Sequence, residues 1–532
     1  MKLTNEGLKC SCWAEKGYKN LSYDRAQIRE NTKKDPIWVH FGAGNIFRGF
    51  PARLQQGLIE KGLSDKGIVV GEGFDYEIIS DIYDKYDNLT LLVTLKANGS
   101  IDKEIVGSVT EAYACDYQFE DAWKRFIEVF ENPSLQMVSF TITEKGYGLK
   151  NPQGEYFAPY VADFQNGPGM GKMFLSRLTE LLLFRFRKNA APLAFVSMDN
   201  CSHNGEKLEL ALTTIASEWV KNGLVEKEFL DYINSKNVSF PWSMIDKITP
   251  RPDASVAAML KADGFEDTEP VITSKNTYIA SFVNAEEAEY LVIEDDFPNG
   301  RPALENSGVY FTDRDTVNNV EKMKVCTCLN PLHTVLAVFG CLLGYNLIAN
   351  EMKDEDLVKL VKEIGYVEGL PVVVNPGIID PKAFIDQVLN VRIPNPFMPD
   401  TPQRIATDTS QKLGIRFGET IKAYIAKGMD IKKLRYIPVV FAGWLRYCLA
   451  IDDEGNAFTP SSDPLLSYAQ EELKAFSLGY EGSFESLKGI LSNEKIFGVN
   501  LYEVGLADTV VDYFKKMIAG PGAIRKTIHE LN

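Results

Sequence analysis

Two glycines follow the first apolar run of the chain, in the segment Gly42-Ala-Gly-Asn-Ile-Phe-Arg48. Glycines placed directly after a buried strand allow a tight turn and let the backbone approach a pyrophosphate, which free N–H groups of the next helix can bind. The third glycine of the usual G-x-G-x-x-G pattern is absent, because Phe47 stands there. The pattern therefore predicts a phosphate-binding turn at Gly42 and Gly44, with a plain strand-to-helix turn as the alternative.

Two acidic residues follow the second apolar run, which ends in Gly71-Glu-Gly-Phe-Asp75. A carboxylate at the end of the second strand of a nucleotide-binding fold can accept a hydrogen bond from a ribose 2′-hydroxyl. Glu72 and Asp75 are both candidates, and we favour Asp75. Because a carboxylate there repels the 2′-phosphate of NADP, the sequence favours NAD over NADP as the cofactor.

Composition excludes several classes of function. The chain has 532 residues, with 57 Lys or Arg against 73 Asp or Glu, which gives a formal net charge of −16. This acidic balance opposes sequence-independent binding to nucleic acid or to an anionic membrane, since both require a basic surface. The four histidines lie far apart without paired-ligand spacing, so we expect no metal site. A small molecule remains as the expected partner, and monomer and homo-oligomer both remain open.

The cysteines and the apolar stretches bear on the cellular compartment. Eight cysteines are too few for a disulfide scaffold, and we expect free thiols at the C-x-C pairs Cys10/Cys12 and Cys326/Cys328. The N-terminal segment lacks the apolar core of a signal peptide. The most apolar long stretch, residues 334–349, is shorter than the roughly 20 residues of a membrane span, which predicts a buried helix. These observations favour a cytoplasmic protein.

The elements that would position these residues change in type near residue 300. Before it, short apolar runs alternate with helical patterns, which predicts a mostly parallel sheet with helices on both faces. Asn98-Gly99 lies between two alternating stretches and predicts a β-hairpin. Beyond residue 300, apolar residues recur at helical spacing in seven segments, 331–349, 354–364, 382–390, 413–427, 435–450, 464–475 and 503–519. We therefore expect an α/β protein with a nucleotide-binding domain over residues 1–310 and a mainly helical domain over residues 311–532.

Several motifs occur together in one order along the chain. They are Gly42-x-Gly44-x-x-x-Arg48, Thr141-Ile-Thr-Glu-Lys-Gly-Tyr147, Asp199-Asn200 with Asn204-Gly205, Asp246-Lys-Ile-Thr-Pro250, and Lys324 followed by Leu329-Asn-Pro-Leu-His333. In this combination the chain resembles the polyol-specific long-chain dehydrogenases, also called the mannitol dehydrogenase family. The resemblance implies a Rossmann-type N-terminal domain, a mainly α-helical C-terminal domain and NAD(P) as cofactor without a metal. It also adds Asn45 and Arg48 to the expected cofactor-binding residues.

The resemblance further implies hydride transfer between a secondary alcohol carbon and the nicotinamide ring. Lys324 would take and return the alcohol proton, a role open to lysines whose burial and charged neighbours favour the neutral amine. The side-chain amides of Asn200 and Asn330 would donate hydrogen bonds to the substrate oxygen as charge develops. His333 would position a substrate hydroxyl, and Glu144 would relay protons to the lysine. From the sequence alone, without the family resemblance, His333 is equally consistent with a buried helix histidine.

The spacing between Lys324 and Asn330 departs from the family pattern. The usual arrangement is Lys-x4-Asn-x2-His, whereas five residues separate Lys324 from Asn330 here. On a regular helix, residues nine apart are about 180° around the axis and residues eight apart about 80°. Lys324 and His333 can therefore share a face only if a π-bulge or an irregular turn absorbs the extra residue. Lys322 is the competing assignment, with a spacing that fits worse.

Local cations favour a sugar acid over a neutral polyol, because a carboxylate requires charged partners. Lys145 and Arg251 stand where mannitol dehydrogenases have neutral residues. Arg404 and Lys412 belong to a segment that resembles the substrate side of the family, and Asp246 opens another matched motif. These residues are the expected substrate contacts, and we expect interconversion of D-mannonate and D-fructuronate. Tagaturonate, mannitol and phosphorylated mannitol are the alternative substrates, and a non-catalytic nucleotide sensor is the rival function.

Overall fold

The computed structural model describes residues 1–531, which form two compact units. The first unit comprises Met1–Leu95 and Ser100–Asn318, and the second comprises Lys96–Gly99 and the chain from Asn319 onwards. The helix Arg314–Met323 contains the point at which the chain passes from one unit to the other.

The first unit is built around a six-stranded sheet in which every strand pair is parallel. Its strands in spatial order are Val109–Ala114, Ile68–Glu72, Trp38–Phe41, Met137–Phe140, Leu193–Ser197 and Val238–Ser239. Numbered along the chain, this order is 3-2-1-4-5-6, the doubly wound arrangement that binds dinucleotides. The order reverses between Trp38–Phe41 and Met137–Phe140, so the crevice for a ligand lies at the carboxyl ends of these two strands.

Three smaller sheets complete the strands of this unit. Their members in spatial order are Tyr18–Lys19, Ile101–Val106, Thr90–Leu95 and Phe282–Glu286; Ser243–Asp246, Tyr290–Glu294 and Tyr310–Thr312; and Val271–Ile272 with Tyr278–Ile279. Thr90–Leu95 pairs antiparallel with Ile101–Val106, so the hairpin predicted from Asn98-Gly99 is confirmed. Gly99 in its turn has φ +84°, a conformation that glycine adopts without steric cost.

Helices connect these strands. The α-helices of the first unit are Cys12–Glu15, Arg25–Lys34, Asn45–Gly49, Pro51–Glu60, Glu120–Glu131, Ala158–Asn166, Phe174–Lys188, Asn204–Lys221, Lys227–Ile233 and Ala254–Ala262. Aromatic residues fill the core between helices and sheet. The ring of Phe41 lies 5.5 Å from that of Phe126 and 5.9 Å from that of Phe140. The apolar runs of the sequence thus become the buried strands of a Rossmann-type fold.

The second unit is helical, with no strand among its described residues. Its α-helices after Arg314–Met323 are Asn330–Leu342, Ile348–Glu351, Glu355–Lys362, Pro381–Gln387, Pro402–Ile405, Glu419–Ala426, Tyr436–Cys448, Leu466–Leu473, Lys488–Leu491, Glu494–Phe497, Ala507–Met517 and Ala523–Leu531. Each of the seven predicted segments overlaps at least one of these helices. The first prediction ran too long, because the chain turns at Gly344, where φ is +77°, before it re-enters a helix. The predicted α/β and mainly helical halves are confirmed.

Two expectations about apolar stretches and thiols have different outcomes. Residues Arg314–Leu342 are long and apolar enough to cross a membrane, but 78% of their most apolar window is buried, as predicted for a core helix. Free thiols at Cys10 and Cys12 are a wrong prediction, because the two residues form a disulfide. Their Cα atoms are 5.2 Å apart, which lies within the reach of a disulfide. Cys326 and Cys328 are free, as expected.

Candidate active site

The predicted phosphate-binding turn follows the strand Trp38–Phe41 at the point where the order of the sheet reverses. Gly42 has φ +106°, and a Cβ atom there would lie 2.2 Å from the carbonyl oxygen of Thr141, so only glycine fits. A Cβ at Gly44 would have no atom within 4 Å, so the backbone is open on this side. The helix Asn45–Gly49 begins directly afterwards. A turn of this shape can accommodate a pyrophosphate against its backbone.

Glu72 and Asp75 flank this turn. The Glu72 carboxylate accepts hydrogen bonds from the backbone N–H groups of Ala43 (2.8 Å), Phe74 (2.9 Å) and Asp75 (3.1 Å), while burial raises its pKa. Glu72 thus holds the turn in place, and its oxygens are already engaged. The sequence offered no means of separating this supporting role from ribose binding.

Asp75 is the better ribose candidate of the two. Its Oδ2 atom accepts hydrogen bonds from the hydroxyls of Thr273 (2.6 Å) and Thr277 (2.5 Å), whereas Oδ1 is buried without a hydrogen-bond partner among the described residues. Within residues 1–531, the Oδ1 atom of Asn45 likewise is buried and has no hydrogen-bond partner. Buried polar atoms are ordinarily hydrogen-bonded, so two orphaned oxygens near an open glycine turn fit a dinucleotide with ribose hydroxyls to donate.

Arg48 is directed into the protein. Its guanidinium donates to the Thr90 hydroxyl (3.0 Å) and to the carbonyl oxygens of Ala280 (2.8 Å) and Ser281 (3.2 Å). The side chain is 1% exposed, and burial lowers its pKa to about 10. These contacts make Arg48 a support for the helix Asn45–Gly49.

Asp199 connects the loops that follow two neighbouring strands. Its carboxylate accepts hydrogen bonds from the backbone N–H groups of Ile142 and Thr143 (both 2.9 Å) and from the Tyr147 hydroxyl (2.6 Å). Burial raises the pKa of Asp199. The loop that carries Glu144 and the turn that carries Asn200 are therefore held to each other within the first unit. Sequence reasoning alone does not give Asp199 this connecting role.

Asn200 and Glu144 reach the solvent at this edge of the sheet, where both are exposed. Glu144 Oε1 lies 2.5 Å from the Lys207 ammonium, an ion pair that the sequence did not suggest. The turn after Asn200 is fixed by the buried Asn204, whose amide donates to the carbonyl oxygens of Asp199 and Ser243 (both 3.0 Å). The structure thus brings Asn200 and Glu144 to the carboxyl edge of the six-stranded sheet, where the glycine turn also lies.

The other expected substrate residues of the first unit lie in different environments. Lys145 is exposed beside Glu144, and Asp246 is buried at the end of the strand Ser243–Asp246. Arg251 is exposed, with its guanidinium carbon 4.0 Å from the centre of the Tyr278 ring. A cation over an aromatic face is held by the ring quadrupole, so the Tyr278 ring gives Arg251 a preferred position.

The second unit accommodates the extra residue that the sequence identified between Lys324 and Asn330. Residues Lys324–Cys328 form a π-helical turn, in which the Leu329 N–H donates to the Lys324 carbonyl oxygen at 3.1 Å. The α-helix resumes as Asn330–Leu342. One residue is therefore absorbed, so Lys324 and His333 keep the angular offset of residues eight apart, about 80°. The π-bulge that the spacing required is present.

Lys324 is 3% exposed, and His333 is part-buried in the first turn of the next helix. Burial lowers the pKa of His333 to about 4; the charge of Asp400 opposes this shift, and Arg392, Arg416 and Arg404 reinforce it. His333 is thus neutral at physiological pH. A neutral imidazole can accept one hydrogen bond and donate another, which suits the orientation of a hydroxyl.

Several cations surround His333. Arg404 pairs with Asp400, and Lys412 donates to the carbonyl oxygens of Ile405 (3.2 Å) and Thr407. Burial lowers the pKa of Lys412, and the neighbouring Arg416 adds to the shift. The structure therefore gathers Lys324, Asn330, His333, Arg404 and Lys412 in one unit. Arg416, which sequence reasoning missed, belongs to the same group.

Comparison with known proteins agrees with this architecture. The mannitol dehydrogenase Rossmann domain matches residues 36–306, and the mannitol dehydrogenase C-terminal domain matches residues 316–518. The chain belongs to the mannitol dehydrogenase family. The resemblance found in the ordered motifs is confirmed. As a member of the mannitol dehydrogenase family, the chain is an NAD(P)-dependent oxidoreductase that acts on CH–OH groups.

Individual members of the mannitol dehydrogenase family extend over the whole chain. A D-mannonate oxidoreductase of Thermotoga maritima is 52% identical and covers 100% of this chain and 99% of its own length. The crystal structure of a substrate-free D-sorbitol dehydrogenase is 24% identical, with a TM-score of 0.80, and covers 98% of this chain and 100% of its own. Mannitol 2-dehydrogenase of Pseudomonas fluorescens, solved with NAD and D-mannitol, is 24% identical, with a TM-score of 0.69, and covers 100% and 99%.

Proposed function

We propose that this enzyme interconverts D-mannonate and D-fructuronate with NAD. The observation that supports this choice of substrate is the 52% identity to a D-mannonate oxidoreductase, which covers 100% of this chain and 99% of that protein. Arg404 and Arg416 lie close enough to affect the charge of both His333 and Lys412, which is consistent with an anionic sugar, because carboxylates require cationic partners. The acidic surface of the chain, which disfavours polyanionic partners, does not oppose a small anion in a locally basic site.

The proposed reaction gives each expected catalytic residue one role. In mannonate oxidation, Lys324 Nζ would take the proton of the reacting hydroxyl as hydride leaves the same carbon; in fructuronate reduction it would return that proton. The bound dinucleotide supplies the hydride acceptor or donor. The amides of Asn200 and Asn330 would donate to the substrate oxygen, and neutral His333 would orient a neighbouring hydroxyl. Glu144 would pass protons between Lys324 and solvent.

NAD is the proposed cofactor because the position expected for a ribose hydroxyl is acidic. Gly42, Gly44 and Asn45 would bind the pyrophosphate side, and Asp75 Oδ1 would accept from the ribose. Arg48 would act by holding this turn. Residues 1–310 would thus bind the cofactor, while residues 311–532 would supply the base and most substrate contacts. The proposed substrate contacts from the first unit are Lys145, Asp246 and Arg251. The proposed cellular compartment is the cytoplasm.

The test is a turnover assay with the purified chain. NADH and D-fructuronate should give a loss of absorbance at 340 nm, with slower reaction for tagaturonate and fructose. Lys324→Ala should abolish turnover and leave NADH binding intact, whereas Lys322→Ala, the matched control, should remain active. Turnover by Lys324→Ala would contradict the assignment of the base, and an inactive wild-type enzyme on all three substrates would contradict the function.

A further inference from the structure

Arg416, one of the cations near His333, has no anionic partner among the described residues. Among the described residues no carboxylate lies at ion-pair distance from its guanidinium, and its one hydrogen-bond partner is the neutral hydroxyl of Thr334. Arg404, by contrast, forms an ion pair with Asp400, and the Lys412 ammonium donates hydrogen bonds to backbone carbonyl oxygens. A part-buried cation without a counter-charge is unfavourable on its own, so an anionic ligand would complete this arrangement.

The contacts of Arg416 fix it beside the residues proposed for chemistry. Thr334 follows His333 directly, and its hydroxyl donates to the Asn330 carbonyl oxygen at 2.9 Å while it accepts from Arg416. The guanidinium is thus tied to the turn that bears Asn330 and His333. Burial lowers the pKa of Arg416 to about 10, which still leaves the side chain charged at neutral pH.

The backbone around Arg416 is itself constrained. Residues Gly414–Gly418 form a π-helical turn whose two glycines pack against Phe497 and Gly498. A Cβ at Gly418 would lie 2.2 Å from the Phe497 carbonyl oxygen. This close approach leaves little freedom for the turn, so Arg416 is presented from a fixed support. A fixed guanidinium is suited to bidentate recognition of a planar carboxylate.

We infer that Arg416 binds the carboxylate of the sugar acid and thereby selects uronates and aldonates over neutral polyols. The inference rests on the proposed function. In D-fructuronate the carboxylate lies several bonds from the reacting ketone, so it requires a recognition group other than Lys324. Thr334 acts as a positioning residue that orients the guanidinium.

The experiment compares a charged substrate with a neutral one. D-fructose carries a hydroxymethyl group where D-fructuronate carries its carboxylate, and it serves as the neutral probe. In Arg416→Gln, kcat/KM for fructuronate should fall by about 10²-fold, mainly through KM, while kcat/KM for fructose stays unchanged. Arg416→Lys should retain part of the preference. Lys422→Gln removes an exposed cation from the following helix and, as the matched control, should leave both substrates unaffected.

A second variant keeps the test valid if Arg416→Gln folds poorly. Thr334→Val removes the hydroxyl that orients the guanidinium and should raise KM for fructuronate by about tenfold, with no change for fructose. Equal losses on both substrates, or no loss on fructuronate, would overturn the role of Arg416. Failure of the wild-type enzyme to reduce fructuronate would overturn the proposed function and this inference with it. If the wild type reduces fructuronate and Arg416→Gln has the same kcat/KM for it, the inference is overturned but the proposed function is not.

Discussion

The π-turn at Lys324–Cys328 should tolerate the deletion of one residue but not the insertion of one. Deletion of Cys326 restores the Lys-x4-Asn spacing, so the segment can close as a regular α-helix with Lys324 still about 80° from His333. Insertion of one alanine after Val325 adds a second extra residue. On a helix of Cα radius about 2.3 Å, a 100° rotation with a 1.5 Å rise displaces the Lys324 Cα atom by about 3.8 Å.

The expected rates derive from this displacement. A misplacement of about 1 Å in a reacting group costs on the order of 10²-fold, and general acid–base catalysis contributes about 10²–10⁴-fold. The insertion should therefore lower kcat by about 10³-fold or more, whereas the deletion should stay within about tenfold of the wild type. The assay is fructuronate reduction followed at 340 nm, with thermal unfolding and NADH binding measured for each variant. Cys326→Ala is the matched control for loss of the thiol alone. If both variants fold, bind NADH and lose activity equally, the reasoning about helical phase is refuted.

Three further predictions concern stability and the cofactor. Burial raises the pKa of Glu351 to about 9, and neither of its carboxylate oxygens has a hydrogen-bond partner in the described part of the chain. The protonated side chain therefore contributes its full stability below pH 4.5, and this contribution is lost as pH rises through about 9, which should lower Tm. Glu351→Gln should abolish that fall in Tm, and a parallel fall in the variant would contradict the prediction. Gly42→Ala should lower Tm and weaken NADH binding measured by fluorescence, since its Cβ would meet the Thr141 carbonyl oxygen, whereas Gly44→Ala, in open space, should keep the wild-type Tm. Asp75→Ser should shift the ratio of kcat/KM for NADH over NADPH towards NADPH by about tenfold, and an unchanged ratio would remove Asp75 from cofactor selection.

The alternation of apolar runs with helical patterns was sufficient to predict the parallel sheet and the helical second unit. The buried strands, such as Trp38–Phe41, are mostly apolar, and each long helix has an apolar face, so local sequence and global packing agree. The disulfide of Cys10 and Cys12 was mispredicted because spacing alone does not report how the backbone turns between two cysteines.

The site was predictable only in part. Residue type and order made Lys324, Asn330 and His333 candidates, and helical phase required the π-turn that the structure contains. Hydrogen-bond partners distant in sequence were not predictable. The two threonines that donate to Asp75 lie 198 and 202 residues from it, and Thr334, which accepts from Arg416, lies 82 residues from it. Whether a carboxylate or guanidinium supports the fold or binds a ligand depends on such partners. Glu72 and Arg48 illustrate this point, since only their contacts identify them as supports.

Four of the five π-helical segments in the described chain belong to the second unit: Lys324–Cys328, Glu363–Gly369, Val388–Arg392 and Gly414–Gly418. Each such turn holds one residue more than a regular helix would need over the same rise. A helix of this kind can gain or lose a residue at the turn while its later turns keep their orientation. Correspondence between relatives should therefore be established by turns of helix rather than by counting residues, and a gap placed outside these turns would pair Lys324 with the wrong neighbour in a relative.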